Sequence, residues 1–219
     1  MRFFKLVVAI TILIVGLISC DDVDVTFTHP QPEGDFQKTK FKGKFTGTYL
    51  CVRDSSVLTI SKRGISQNWS FVVEVDSNQS INDATRNFSI NTDESDLSII
   101  ASEDSTKFDV SYTHQLFEFT DGRVLKYVGG VYFLNYPYGS TSWEVKTMRF
   151  DEEGFLIINE LDMSVSDVAQ LKTMTEILSD TNDAGIVLDY YIEPTRKEFN
   201  QIMDADIFAT GEKFVKIKR

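Results

Sequence analysis

An alternation of apolar and polar residues with a period of two recurs through residues 45–161, and it constrains the fold more than any other feature. Successive side chains of a β-strand point to opposite faces of the sheet, so this alternation is typical of half-buried strands. Gly-containing turn sequences such as Asp121-Gly122 separate the predicted strands. The clearest strand patterns are residues 57–61 (VLTIS), 69–75 (WSFVVEV) and 108–116 (FDVSYTHQL).

Two later segments predict details of the sheet. In residues 143–150 the apolar positions change parity between Val145 and Met148, and such a slip predicts a β-bulge near Thr147. Residues 155–161 are apolar on both faces over four positions, which predicts a central strand.

The C-terminal third changes character and predicts two short helices. Apolar residues recur at three- and four-residue spacing through residues 164–178, which predicts the first helix, and a loop follows at 179–185. Thr195 and Glu198 have capping-box spacing, which predicts the start of the second helix. Residues 186–192, between the two helices, predict a further strand.

The predicted fold class is therefore mainly β, a β-rich α+β protein in which an antiparallel meander curls into a barrel or a sandwich. The predicted organisation is a signal peptide over residues 1–19, a lipidated cysteine and flexible tether over 20–44, and a single β-rich domain over 45–219. The tether prediction rests on prolines and glycines in a mostly polar stretch that shows no sustained period.

The N-terminus predicts export and lipid anchoring. Two cations, Arg2 and Lys5, are followed by the 14 almost wholly apolar residues 6–19. As a helix this segment is about 21 Å long, shorter than the roughly 30 Å core of a bilayer, and it is typical of a signal peptide. It ends in Leu-Ile-Ser-Cys, which resembles the bacterial lipobox. The resemblance implies that Cys20 carries diacylglycerol and palmitate-type acyl chains as a membrane anchor; the alternative is cleavage that leaves Cys20 as an ordinary thiol.

The acidic residues after Cys20 give two interpretations of location. Asp21, Asp22 and Asp24 look like the surface-export signal of lipoproteins in the Bacteroidota, which places the protein on the outer membrane. An Asp directly after the cysteine also resembles the enterobacterial signal for retention at the inner membrane. We expect a cell-envelope protein anchored to the outer membrane and, on the first interpretation, exposed at the cell surface.

Composition and motifs argue against several classes of function. The chain has 33 acidic and 22 basic residues, a net charge of −11, which argues against a nucleic-acid partner. Two cysteines and two histidines are too few for a disulfide scaffold or a four-cysteine zinc site. Phosphate-binding and dinucleotide motifs and the Gly-x-Ser-x-Gly nucleophile elbow are absent from the sequence. We therefore expect no cofactor, no metal site and no catalytic residue, and hence a protein that is not an enzyme.

Four residues are candidates for ligand contact. His114 lies on the apolar face of its predicted strand, either as a polar contact for a ligand inside a barrel or as a core histidine bonded to a neighbour. Tyr136, Tyr138 and Trp143 flank a predicted loop and are the aromatic residues most suited to binding at the surface. Cys51 shares its parity with apolar neighbours and is predicted to be a buried, inert thiol.

The chain also resembles a group of cell-envelope lipoproteins of the Bacteroidota, of the flavobacterial type, that have no assigned activity. The resemblance implies an envelope location and one mature domain, and it implies no catalytic residue. It rests on the lipobox and on FTHPQPEG at 27–34, GTY at 47–49, GGVYFLN at 129–135, WEVK at 143–146 and EPTRKEF at 193–199.

The sequence thus predicts a non-enzymatic binding or interaction module, held at a membrane through Cys20 and directed to a protein or glycan partner. An alternative is a lipocalin-like carrier of a small apolar ligand, with His114 near its cavity. A third and less favoured hypothesis is a hydrolase that acts on envelope polymers.

Overall fold

The computed structural model of the protein describes residues 25–74, 95–101, 107–120, 122–161, 165–181, 187–205, 207 and 211–217. The predicted class is confirmed, because strands dominate and two short helices occur late in the chain. Among the described residues, no helix is long and apolar enough to cross a membrane. The helices in the described part of the chain are α1 Val165–Leu171 and α2 Arg196–Asp204. The strands are β1 Val25–Phe27, β2 Gly47–Cys51, β3 Val57–Ile60, β4 Gly64–Glu74, β5 Ser95–Ala101, β6 Lys107–Glu118, β7 Val124–Val128, β8 Val131–Tyr138, β9 Ser142–Phe150, β10 Leu156–Asn159, β11 Ile177–Thr181, β12 Val187–Ile192 and β13 Gly211–Lys216.

The chain divides into two compact units, where the sequence predicts a single domain over 45–219. The first unit is formed by Met1–Thr26 and Asp162–Ile207, and the second by Phe27–Leu161 and Phe208–Arg219. A pattern of strands and helices cannot reveal this division, because it depends on which elements pack together.

The first unit contains both helices and the antiparallel β11–β12 hairpin. The predicted helix over 164–178 is wrong beyond Leu171, where α1 ends, because Ile177–Thr181 pairs with β12 instead. This pairing also replaces the start of the loop predicted at 179–185, whose remaining residues lie outside the described part. The second helix agrees with its prediction: the Thr195 side chain accepts a hydrogen bond from the Glu198 backbone N–H, and Glu198 accepts one from the Thr195 N–H.

The second unit is an antiparallel sheet whose described strands follow the order β7-β8-β9-β10-β13-β2-β3-β4-β6-β5. Strand β10 lies between β9 and β13, which confirms the central strand predicted at 155–161. The bulge predicted near Thr147 is wrong, since β8 and β9 pair in continuous register. The parity change arises because β9 buries residues on both faces, including Val145 on one and Met148 on the other. An irregularity occurs instead in the β4–β6 pairing, between Ile65 and Gln67.

The sheet curls so that strands far apart in its order approach each other. The Tyr136 hydroxyl on β8 donates a hydrogen bond of 2.7 Å to the Leu116 carbonyl on β6. The Tyr136 and Phe117 rings also pack edge to face, with centroids 5.7 Å apart. Side chains therefore connect the two sides of the curled sheet. Backbone pairing among the described strands does not close this sheet.

The inner face of this curl encloses the main apolar core of the unit. Because both sides of the curl contribute, the core joins residues from nearly every strand. Its buried members are Phe41, Phe45, Tyr49, Cys51, Leu58, Ile60, Ile65, Phe117, Leu125, Tyr132, Leu134, Met148, Leu156, Ile158 and Phe214.

Residues 25–44, predicted as part of a flexible tether, are packed into the fold, so the tether prediction is wrong for this stretch; residues 20–24 lie outside the described part. The Phe41 ring lies 5.9 Å from Phe117 and 5.1 Å from Tyr132, between centroids. The Lys42 backbone N–H donates to the Tyr132 hydroxyl oxygen at 2.6 Å. Buried phenylalanines therefore fix a segment whose lysines, glycines and prolines suggested a solvated linker.

A buried polar clip holds the preceding loop. The Gln31 backbone N–H donates to Asn135 Oδ1 at 2.6 Å, and Asn135 Nδ2 donates back to the Gln31 carbonyl at 3.0 Å. The Lys126 ammonium donates to the carbonyls of Pro30 and Pro32, both at 2.8 Å. Two of the sequence motifs on which the family resemblance rests, at 27–34 and 129–135, therefore meet at this clip.

Replacing Phe41 tests whether the supposed tether is part of the core. Phe41→Ala is expected to lower the free energy of unfolding by about 3–5 kcal/mol, because it removes a buried ring. Phe36→Ala is the matched control, since Phe36 is 86% exposed and its loss is expected to cost less than about 0.5 kcal/mol. Urea unfolding followed by circular dichroism measures both. Equal, small effects would contradict the packed arrangement.

Candidate functional site

A group of polar and aromatic side chains lies where the inner face of the curl meets the turn between β2 and β3. Gln67 is the register partner of the core residue Leu58, so the two side chains share the inner face. Trp69 follows on the same face two residues later. We call this group the Trp69 cluster; its members are Cys51, Arg53, Asp54, Ser56, Gln67, Trp69, Tyr112 and Glu212.

The β2–β3 turn sets the position of Asp54. The Cys51 N–H donates to the Ser56 carbonyl at 2.8 Å, and the Ser55 N–H donates to the Cys51 carbonyl at 3.1 Å. Ser55 has φ of 61°, in the left-handed region that non-glycine residues seldom occupy. Asp54 Oδ1 accepts the Ser56 N–H at 2.9 Å, the local bond that makes Asp suitable for such turns.

The second carboxylate oxygen of Asp54 holds the indole of Trp69. Trp69 Nε1 donates to Asp54 Oδ2 at 3.0 Å. Partial burial acts to raise the pKa of Asp54, but hydrogen bonds from Ser56, Trp69 and Cys51 outweigh it and hold that pKa well below its usual range. Asp54 is therefore ionised at neutral pH and fixes the tryptophan ring through a charge-assisted hydrogen bond.

Trp69 and Tyr112 form an aromatic pair at the surface of this region. They are register partners on β4 and β6, and their ring centroids lie 5.4 Å apart at an interplanar angle of 32°. Both residues are half-buried. The pair therefore presents two partly exposed aromatic rings, tilted by 32° to each other, beside the Asp54 carboxylate.

Glu212 on β13 completes the polar side of the cluster. Its carboxylate pairs with the Arg53 guanidinium, and its Oε2 accepts a hydrogen bond from Gln67 Nε2 at 3.1 Å. Gln67 Nε2 also donates to Ser56 Oγ at 2.8 Å. The hydrogen-bonding groups are thus held in place before any ligand arrives.

Cys51 is a free, buried cysteine, as the sequence predicts, and burial raises the pKa of its thiol. Its sulfur and one carboxylate oxygen each from Asp54 and Glu212 lie within 4.8 Å of one another, close enough to hold a metal ion. Both carboxylates, however, already accept hydrogen bonds or ion pairs from protein groups. We assign this donor set to the internal network and not to a metal.

The structure separates the four residues predicted to contact a ligand. His114 is half-buried on β6 and is the register partner of Gln67, so it lies on the same face as the Trp69 cluster. Tyr136 donates its hydroxyl to the fold, and burial raises the pKa of that hydroxyl. Tyr138 and Trp143 lie on the β8–β9 hairpin, where Tyr138 is 37% exposed and Trp143 is half-buried. Only His114 borders the cluster.

Trp69, Asp54 and Glu212 are not among the site residues predicted from the sequence. Trp69 fits the apolar phase of its predicted strand, a position that by itself indicates core packing. The one local signal is the Asp-Ser-Ser sequence at 54–56, which is typical of a side-chain-stabilised turn. The contact between Gln67 and Glu212 joins residues 145 positions apart, and periodicity carries no information about it.

The chain was compared with protein-family models, with curated proteins and with solved structures, and no match was found.

Asp54→Asn tests the electrostatic role of the carboxylate. At pH 7 we expect the free energy of unfolding to fall by about 1 kcal/mol, because the amide cannot accept from both Ser56 and Trp69. The folded-state pKa of Asp54 is depressed, so its stabilisation is present above the unfolded pKa of about 3.9 and is lost as the pH falls through the folded value. Thermal unfolding of the parent protein and of Asp54→Asn is measured at pH 7 and near pH 2. The difference between their melting temperatures should be smaller near pH 2.

Glu152→Gln, at an exposed position in the β9–β10 turn, is the matched control and should change little at either pH. Identical melting temperatures of Asp54→Asn and the parent protein at pH 7 would contradict the role assigned to Asp54.

Proposed function

We propose that this protein is a lipid-anchored lipoprotein of the bacterial cell envelope whose second unit binds a glycan, without catalysis, at the Trp69 cluster. The observation that carries the proposal is the indole of Trp69, held by the Asp54 carboxylate at 3.0 Å beside the ring of Tyr112. A half-exposed aromatic pair fixed by a charged group is suited to contact with a ligand, because its orientation is set in advance.

The chemistry of the cluster favours a sugar over a purely apolar ligand. Aromatic faces pack against the C–H faces of sugar rings, and the Trp69–Tyr112 pair offers such a surface. Beside it the exposed guanidinium of Arg53 and the partly exposed carboxylate of Glu212 supply hydrogen-bond donors and acceptors for hydroxyl groups, and the buried Gln67 amide holds Glu212 in place. Binding sites commonly combine an apolar surface with a few fixed polar groups in this way.

The alternative functions receive less support from the geometry. A lipocalin-like carrier needs an internal cavity, but the inner face of the curl is filled with rings, including Phe41, Phe45 and Tyr132. A glycosidase of the usual two-carboxylate type needs a protonated carboxylic acid near neutral pH. Asp54 has a lowered pKa and therefore favours the ionised form, and the Glu212 carboxylate is held in an ion pair with Arg53.

The lipid anchor at Cys20 explains how such a module stays in the envelope. A single acyl chain binds a membrane marginally, whereas two chains give stable attachment. The lipobox and the acidic residues after Cys20 support anchoring at the outer membrane, as in the Bacteroidota lipoproteins that the sequence resembles.

Glycan binding is tested with the two tryptophans of the chain. In Trp143→Phe, Trp69 is the sole tryptophan, and we expect its emission to change on titration with at least one member of a glycan panel. Trp69→Phe removes the indole N–H and part of the stacking surface, so its affinity for that glycan should fall about tenfold. The panel consists of glucose, mannose, galactose and N-acetylglucosamine hexasaccharides and of glycans released from the host surface.

Calorimetry on the parent protein and on both variants measures the affinities directly. Trp143→Phe is the matched control and should bind like the parent. Binding by Trp69→Phe with unchanged affinity, or binding of no glycan in the panel, would contradict the proposal.

Lipidation is tested with the two cysteines. Protein purified from native membranes should begin at Cys20 and carry the added mass of diacylglycerol and an N-acyl chain. Cys20→Ser should lose this mass and leave the membrane fraction, whereas Cys51→Ala should retain the lipid, because Cys51 is buried in the fold. An unmodified thiol at Cys20 in the native protein would contradict the anchor.

A further inference from the structure

A strip of lysines crosses one face of the second unit just before β2. We call it the lysine strip; its members are Lys38, Lys40, Lys42 and Lys44. The sequence contains no Asp or Glu between Phe36 and Val52, although the whole chain has 33 acids and 22 basic residues. The strip is therefore a local region of positive charge on a protein of the opposite net sign.

The fold holds the lysine strip in a defined conformation. Phe41 and Phe45 alternate with the lysines and are buried in the core, while the side chains of Lys40, Lys42 and Lys44 are exposed. The Lys38 backbone N–H donates to the Leu125 carbonyl at 2.7 Å. Because the core fixes the backbone on which these cations are carried, little order has to be gained when an anionic partner binds.

Neighbouring charges reinforce the strip. The Phe41 N–H donates to the carbonyl of the exposed residue Lys62, and the Lys216 ammonium donates to the Thr46 carbonyl, so two further lysines lie beside the strip. The nearest acidic residues before the strip in the chain are Glu33 and Asp35. Burial lowers the pKa of Lys126, and the charges of Asp35 and Glu33 oppose that shift, so these carboxylates interact with the buried Lys126 ammonium.

The strip also borders a pocket and an exposed ring. A pocket of about 500 Å³ is lined by residues 37–42 and Tyr127, and the Lys42 ammonium lies 3.7 Å from the centroid of the Tyr127 ring. Phe36, at the start of the strip, is 86% exposed. Cations beside an exposed aromatic side chain are the combination that binds the interface of an anionic membrane.

Covalent geometry places this unit close to the anchor, if Cys20 is lipidated as proposed above. Cys20 and Phe27, the first residue of the second unit, are seven residues apart, so this unit begins at most about 25 Å from the lipidated residue. Charges interact through physiological salt over about 8–10 Å. A domain held this close must present some face to the headgroups, and an acidic face would be repelled by their phosphates.

We propose that the lysine strip and Phe36 form the face by which the second unit lies on the phosphate headgroups of the anionic membrane that anchors it. This inference rests on the lipid anchor of the proposed function, and it adds the orientation of the second unit on the membrane. The strip precedes Gly47, the first residue of β2, whereas the Trp69 cluster begins at Cys51, the last residue of that strand. The glycan site therefore lies at the end of β2 away from the lipid.

The test is a lysine footprint of the native lipidated protein in vesicles. The protein is reconstituted in phosphatidylcholine alone or in an equal mixture with phosphatidylglycerol, and it is acetylated with a water-soluble reagent. Mass spectrometry then gives the acetylation rate of each lysine. We expect Lys40, Lys42 and Lys44 to be protected several-fold in the anionic vesicles, and the protection to disappear in about 1 M NaCl, where the screening length is about 3 Å.

The exposed Lys213 of the second unit lies beside Val52, at the other end of β2 from the strip; it is the internal control and should acetylate at the same rate in both vesicles. The variant Lys40→Gln/Lys44→Gln should lose the remaining protection at Lys42. The control variant Lys172→Gln/Lys197→Gln removes the same amount of charge and should keep the protection at Lys42. Since all four side chains are exposed, both variants are expected to fold, which circular dichroism checks.

Equal acetylation of the strip in both vesicles would overturn the proposal. So would protection by soluble polygalacturonate or polyphosphate without protection by phosphatidylglycerol, because the partner would then be a polymer. The intact mass of the same sample reports lipidation. A lipidated protein with an unprotected strip overturns only this inference, whereas an unlipidated protein that is protected by added anionic vesicles overturns only the anchor.

Discussion

The burial of the Phe41 and Phe45 rings inside the curled sheet is the interaction on which the rest of the structure depends. Phe45 stacks on Phe150 with centroids 4.8 Å apart and meets Tyr132 edge to face at 4.8 Å. Phe41 contacts Phe117 and Tyr132, on opposite sides of the curl. Since backbone hydrogen bonds do not close the described sheet, these aromatic contacts supply the cohesion that pairing would supply in a closed barrel.

The same packed segment links the fold to the functions proposed here. Its buried phenylalanines leave the intervening lysines on the surface, so one stretch of chain seals the core and presents a cationic face. At the other end of β2 the turn at Asp54 fixes Trp69 and leaves the aromatic pair partly exposed. The two surfaces are therefore separated by the length of one strand, and each is preorganised by contacts that serve the fold.

Several features of the fold could be predicted from particular residues. The alternation through Trp69 and His114 predicted β4 and β6, and the capping box at Thr195 predicted α2. The failures also have physical causes. The spacing of Met174 and Leu178 suits a helix, but pairing of Ile177–Thr181 with β12 decided otherwise. Residues 20–44 are predicted as a tether because prolines, glycines and polar residues give them no sustained period, and a single buried ring such as Phe41 leaves no periodic signal.

The sequence by itself determined the strands with clear alternation, such as β4 and β6, the start of α2, and where the N-terminal apolar segment ends at Cys20. These properties follow from local periodicity and composition. Only the tertiary structure decided how strongly the sheet curls, how the chain divides into two units, and that Asp54, Trp69 and Glu212 belong to one network. Alternation assigns a side chain to a face, but it fixes neither register nor curvature. The partners of a buried polar group are set by residues far away in the chain, as the Gln67–Glu212 hydrogen bond illustrates.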